Sequence, residues 1–228
     1  DPSLAPRSWT RVRWLQDITP HCTLLFLTDG DAVAEDQSGK FVWLMQGADE
    51  RVAGPGKALA PNPYPPILFT GMVNHGLKRR SHVEHLKERW GERFLVMGDG
   101  GPRYRKHGRE LADVFASVKV VVAPDGPSTD CYWSNRVYLT LGLGGFLLHP
   151  FCKGLRDQYQ DYELVMYHDR DELDDMIECF LMRKSPATGV DFDESRELHR
   201  EAGLKVTMER HLYRHRVEEL LRIVKERT

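Results

Sequence analysis

From residue 67 to residue 167 the chain alternates short apolar runs with helix-like segments, and this beat restricts it to one class of fold. The runs ILFT (67–70), RFLVM (93–97), KVVVA (119–123), GFLLH (145–149) and ELVMY (163–167) are short, with continuous apolar centres such as VVVA and FLL. Between them lie 81–90, 109–117, 133–143 and 155–159, which read as helices. A strand that is apolar at every position is buried on both faces, and parallel strands need helical crossovers to connect them. The expected fold is therefore α/β, a Rossmann-like doubly wound parallel sheet covered on both sides.

The flanks are less regular. Two further β-type runs, 22–28 (CTLLFLT) and 41–45 (FVWLM), precede a stretch from 47 to 66 that holds prolines at 55, 61, 63, 65 and 66. Proline fixes φ and removes a backbone donor, so this stretch is expected to be a linker or a connection hugging the surface. The domain boundaries that follow are 1–56, a Pro-rich linker at 57–66, and 67–228. Beyond the sheet, Leu173, Met176, Ile177, Phe180 and Leu181 share one face of a helix over 171–183, with Asp169 and Glu172 as its start signal. A terminal helix carries Tyr213, Val217, Leu220, Leu221 and Val224 on one stripe, which is expected to pack against the amino-terminal part.

Charge narrows the partners. Lysine and arginine number 32 against 34 aspartates and glutamates, so no global field draws polyanions or anionic membranes to the surface. An anion bound here has to be held locally, by backbone amides and a few cations. Cys22, Cys131, Cys152 and Cys179 are scattered without a CxxC pair and read as reduced thiols. No apolar run approaches the ~20 residues of a membrane span, and a cytoplasmic location is expected. The histidines of HLYRHR (211–216) lack partners at metal-ligand spacing, so no metal site is expected.

In an open α/β sheet ligands bind beyond the carboxyl ends of the strands, which directs attention to the loops there. GMVNHGLKRR (71–80) joins a glycine that permits close approach, Gly71, to Lys78, Arg79 and Arg80 at a helix start. It is either a diphosphate site or a solvated basic helix start. GDGG (98–101) lacks the third glycine of a dinucleotide fingerprint, because Arg103 stands there, and reads as a tight turn. DGPSTDCYWSNR (125–136) ends in Ser134, Asn135 and Arg136, which suit either a ligand or a helix cap. In GLGGFLLHPFCKGL (142–155), Gly144 and Gly145 close a helix. His149 is there either structural or, with Lys153 and Gly154 beside it, a sugar or phosphate contact.

The run from SNRVYLTLGLGGFLLHPFCKGL through the acidic helix after Tyr167, with His211, Tyr213 and Arg216 of HLYRHR, resembles the carboxyl-terminal domain of the CgeB-like (spore maturation protein-like) glycosyltransferases. These are relatives of the group 1, GT4-like enzymes of the GT-B superfamily. The resemblance spans about 67 to 224, and residues 9–56 resemble the end of that family's amino-terminal, acceptor-side domain and its connection. It implies a donor site for a nucleotide-diphosphate sugar, UDP- or GDP-linked, with no tightly bound cofactor. Gly71 with Arg79 or Arg80 would lie by the diphosphate, Asn135, Arg136 and Tyr138 by the nucleoside, and Gly144, Gly145, His149, Lys153, Gly154 and Leu155 around the sugar and phosphates. Transfer would proceed without a metal and with retention of configuration, to an acceptor that is a protein, a glycan or a modified DNA base.

Two departures accompany the resemblance. Group 1 relatives carry a ribose-binding glutamate where this chain has Leu139, and they possess an entire upstream Rossmann domain of which this chain holds at most the tail. A non-catalytic module that holds a nucleotide or nucleotide sugar is therefore the alternative, and an NAD-binding oxidoreductase using GDGG is the third reading. Self-association into a homo-oligomer stays open.

Overall fold

The structure is a computed structural model that describes residues 15, 17–73, 77–98, 106–124 and 129–227. Expectations placed on 1–14, 74–76, 99–101 and 125–128 lie outside the described residues.

The principal sheet contains β3 (Ile67–Thr70), β4 (Phe94–Met97), β5 (Val120–Val122), β6 (Leu147–Pro150) and β7 (Val165–Tyr167) in the order β4-β3-β5-β6-β7. Every pairing is parallel, with Leu68 opposite both Leu95 and Val121. Successive side chains on a strand point to opposite faces, and the core divides accordingly. On one side Leu68, Val121 and Leu147 pack with Leu111 and Phe115 of α3 (Gly108–Ser117) and with Val137 and Leu141 of α4 (Arg136–Gly142). On the other side Ile67, Phe69, Val120, Val122 and Leu148 meet Val83, Leu86 and Trp90 of α2 (Leu77–Trp90) and Leu173 and Ile177 of α6 (Arg170–Leu181). Burying each such side chain contributes roughly 1.5–3 kcal/mol, so the continuous apolar strands are the natural centre of the molecule. This is the doubly wound α/β arrangement that the alternation implies.

A second, two-stranded parallel sheet pairs β1 (Leu25–Leu27) with β2 (Phe41–Trp43) through the short α1 (Gly30–Ala34). Asp29 caps α1 by accepting from the amides of Asp31 and Ala32. The proline-rich segment runs along α3. Its Lys57 amide donates to Asp113, its Leu59 amide to Ser117 Oγ, and Asn62 Nδ2 to the Ser117 carbonyl. Gly56 lies so close that a Cβ there would stand 2.1 Å from the Ala112 carbonyl.

After the sheet, α7 (Phe192–Arg210) is a 19-residue helix that hydrophobic periodicity does not disclose, because only Gly203, Val206 and Thr207 of it are buried. It holds by close approach instead: a Cβ at Gly203 would meet the Glu163 carbonyl at 2.6 Å. The chain then bends through the buried pair His211–Leu212, where the Ala48 amide donates to the His211 carbonyl and the Tyr213 amide donates to Ala48. Its last helix is α8 (Tyr213–Arg227). The apolar stripe expected to be covered there is largely open, with Tyr213, Val217 and Leu221 44%, 54% and 60% exposed. The helix is held instead on an adjacent stripe. Arg216 Nε donates to the Gln46 carbonyl, and Arg227 reaches the Gly39 carbonyl. Among the described residues no helix is long and apolar enough to cross a membrane.

Candidate functional site

Where β3 and β4 end, two glycines stand against each other. Gly71 donates its amide to the Met97 carbonyl, and a Cβ on Gly98 would come within 3.1 Å of the Gly71 nitrogen. Both have positive φ, +128° at Gly71 and +114° at Gly98, a backbone state that glycine adopts without strain. A Cβ on Gly71 would stand 2.6 Å from a guanidinium nitrogen of Arg136. Both strand ends therefore stay low, and Arg136 occupies the space that side chains would fill.

Arg136 opens α4 and is only 8% exposed. Its Nε donates to the Thr70 carbonyl at 2.6 Å, and its guanidinium lies 4.9 Å above the Phe69 ring. A guanidinium fixed this way loses little freedom when it meets an anion. It borders a cavity of about 350 Å³. Thr70, Gly71, Met97 and Gly98 form one wall, Asn135, Arg136 and Leu139 a second, and Lys106, His107 and Leu111 the third. Met97, Leu111 and Leu139 give each wall an apolar side chain, while Lys106 and Arg136 bring two cations. Lys106, half-buried, is paired with the exposed Glu110 at 3.5 Å, a solvent-facing partner that holds it only weakly.

Of the residues named from the sequence, Gly71, Asn135 and Arg136 meet at this cavity. Arg79 is buried nearby as a strap, donating to the carbonyls of Met72 and Pro124, while Arg80 points outward to Glu84 at 2.7 Å. Tyr138 faces the core, where its hydroxyl accepts from Trp133 Nε1, and burial pushes that hydroxyl's pKa up to about 12. Gly144 gives its carbonyl to Arg200, and Gly145 packs on Thr140 and Phe115. His149 is fully buried at the end of β6 with Nδ1 2.7 Å from the Pro150 carbonyl. Lys153 is exposed at the start of α5 (Lys153–Arg156), beside Gly154, whose amide donates to the Asp130 carbonyl, and the buried Leu155. None of these last residues lines the cavity at Gly71. Lys106 and His107, which do, were not singled out from the sequence; a cation immediately before a helix start was the signal available.

His211 and Arg216 form a separate buried knot. Arg216 donates to His211 Nδ1 at 2.7 Å, and its guanidinium lies 5.9 Å from the Tyr138 ring. Burial, with Arg216 next, lowers the His211 pKa to about 3. The imidazole is neutral and accepts from Arg216, so this pair ties α8 to the body. Among the described residues no cluster of three or more histidine, cysteine or acidic side chains is arranged to hold a metal.

The profile of the family described as glycosyl transferase-like matches residues 78–222, well over half of the chain. The chain belongs to that family. No curated protein matches it. Among the solved structures similar to this glycosyl transferase-like chain are the following three. The first is the sucrose-phosphate synthase of Thermosynechococcus elongatus (TM-score 0.63, 14% identity, 97% of this chain and 62% of that one). The second is a glycosyltransferase from Rickettsia africae (0.59, 10%, 97% and 67%). The third is Anabaena HepE in complex with UDP and glucose (0.68, 8%, 99% and 68%). At such identities the likeness is one of fold, that of GT-B glycosyltransferases. The chain spans 62% of the length of the sucrose-phosphate synthase.

Proposed function

We propose that this chain binds the donor of a glycosyl transfer, a nucleotide-diphosphate sugar, with the diphosphate in the cavity at Gly71, Asn135 and Arg136. The observation that carries the reading is the convergence of the β3 rim and the α4 start on one cavity beside a buried, pre-oriented guanidinium. When the bond from the sugar's anomeric carbon to the diphosphate breaks, the electron pair leaves on phosphate oxygen. Fixed positive charge aimed at that oxygen in a poorly hydrated site stabilises the departing group. Arg136 supplies that charge, with Lys106 also lining the cavity, and the apolar side chains of Met97, Leu111 and Leu139 suit the flat face of a base.

Membership of the CgeB-like branch, retention of configuration and independence of metal belong to this reading through the family resemblance. So does the division into an acceptor-side end (1–56), a linker (57–66) and a donor-binding domain (67–228). The two-stranded β1–β2 sheet supports that division. Leu25, Phe26 and Leu27 are all only half-buried in it, and two strands alone bury too little to stand by themselves.

The test is a thermal melt with UDP or GDP. Either nucleotide at ~100 times its Kd should add about 2.7 kcal/mol of stability, and Arg136→Ala should remove the gain. Stabilisation by NAD alone would end the reading. Hydrolysis or transfer of labelled sugar from UDP-glucose, unchanged by EDTA, separates a metal-independent transferase from a module that only binds.

A further inference from the structure

We infer that the groove between the segment after β2 and helix α8 binds the acceptor, and that this acceptor is a small hydroxyl compound with an apolar, ring-sized body. The inference rests on the donor reading above and adds the other substrate to it.

The groove encloses about 480 Å³. Leu44 and Met45 line it from one side, Val217 and Leu220 from the other, with the Tyr213 ring at its edge. Tyr213 and Val217 are 44% and 54% exposed although their helix is anchored one stripe away. Large apolar side chains around a concavity of this size match small-ligand sites, which run from about 300 to 1,000 Å³. Thr28, Gln46 and Asn135 add a few polar side chains at the groove, enough for one or two hydroxyls. A polyol laid on the Leu44, Met45, Val217 and Leu220 walls would leave most of its hydroxyls without partners, which is costly; an aromatic or alicyclic body would not.

Position supplies the second argument. Asn135 lines this groove and also the cavity proposed for the donor, so one exposed side chain separates the two spaces. An acceptor seated on Leu44, Met45, Val217 and Leu220 with its hydroxyl at Asn135 would stand at the mouth of the donor cavity. Transfer needs the reacting atoms about 3–3.5 Å apart. The acceptor oxygen then bonds to the anomeric carbon as the bond from that carbon to the diphosphate breaks. The electron pair leaves on the diphosphate, and the hydroxyl proton passes to water.

Arg216 also reaches the groove, but its guanidinium is engaged by the Gln46 and Arg210 carbonyls and by His211 Nδ1. It sets the spacing between α8 and the segment after β2, and a neutral acceptor is the better fit.

The experiment uses the 228-residue chain with 13C-labelled Met, Leu and Val methyls, UDP for the donor cavity and 4-methylumbelliferone as the acceptor probe. The probe is expected to shift the methyls of Leu44, Met45, Val217 and Leu220, and UDP those of Met97, Leu111 and Leu139. Val217→Trp fills the groove from an exposed position; it should weaken the probe at least tenfold and leave UDP affinity within twofold. The inference is overturned if the groove methyls ignore the probe, or if the probe moves the donor-cavity methyls instead. Undiminished probe binding by Val217→Trp would also overturn it, as would groove shifts that follow protein concentration alone, which would mark a contact between copies. UDP leaving Met97, Leu111 and Leu139 unmoved would sink the donor reading separately.

Discussion

At the end of β3 the chain turns through Gly71 beside an open cavity, whereas at the end of β6 it turns through His149 to Gly154 into its own backbone. Both loops leave the carboxyl edge of the same parallel sheet, and both rely on a glycine. In the first, the missing Cβ makes room for the Arg136 guanidinium; in the second, for the Asp130 carbonyl, 2.2 Å from where a Gly154 Cβ would be. Cys152 Sγ donates to the Thr129 carbonyl in the same closure, and the Gly30 amide donates to the Cys131 carbonyl from the other side. A glycine beyond a strand thus marks close approach, and its neighbour decides whether a cavity stays open beside it or the backbone fills the space.

The sharpest way to break this contrast is Gly154→Ala. The added methyl meets a backbone carbonyl and the Trp133 ring, neither of which can swing aside, so unfolding by urea should show a loss of about 2–3 kcal/mol. UDP affinity of the folded fraction should change less than threefold. A variant of normal stability that no longer binds UDP would move the β6 loop into the site. Next in size is Arg136→Ala. Hydrogen bonds to a charged group contribute about 1.5–3 kcal/mol, so UDP binding measured by calorimetry should weaken at least tenfold. Equal affinity in wild type and variant would leave the β3 loop as structural as its counterpart.

The fold was legible where burial leaves a pattern. Continuous apolar runs at 67–70, 119–123 and 145–149 correspond to strands whose Ile67, Leu68, Val120, Val121 and Leu148 are fully buried. Helix α7 was not legible, because it docks through Gly203 and Thr207 rather than through an apolar stripe. The cavity shows the same division. The rule that ligands lie beyond strand ends leads to Gly71 and to the loop ending in Asn135 and Arg136, which the resemblance also singles out. Helix geometry then separates neighbours in sequence. Residues 136 and 138 are about 200° apart around a helix, so Arg136 and Leu139 border the cavity while Tyr138 faces Trp133 and Tyr159. Lys106 and His107 follow a run, GDGGPRYR, with no period to place them.

The buried knot at His211 sharpens the contrast through pH. Burial beneath the Tyr138 and Tyr159 rings, with the charges of Arg216 and then Arg210 beside it, lowers the His211 pKa to about 3. An unfolded histidine titrates near 6.5, so between about 6.5 and 3 the unfolded chain binds a proton that the folded chain refuses. Stability is complete above that window and declines as the pH falls through it, by about 2 kcal/mol at pH 5. His82, lowered to about 4 mainly by burial and then by Arg170 and Lys78, adds to the same decline. His211→Asn should flatten part of the slope in melts at pH 7 and pH 5, and an unchanged slope would show that the ring is protonated in the folded state. Because the knot ties α8 to Gln46, the loss should appear in stability before it appears in UDP binding.

The smallest effect belongs to Arg80, whose sequence neighbourhood is as basic as any near the cavity. Its guanidinium bonds to Glu84 one turn along α2, and both side chains are more than half exposed. Such exposed pairs contribute little, so Arg80→Ala should leave the urea unfolding midpoint unchanged within error. UDP affinity should fall less than threefold at 0.15 M salt, since Arg80 does not line the cavity and salt screens exposed charges. A loss as large as that of Arg136→Ala would mean that Arg80 leaves Glu84 and turns inward when the diphosphate arrives. The β3 loop would then close over its ligand, which the β6 loop, pinned at Gly154, cannot do.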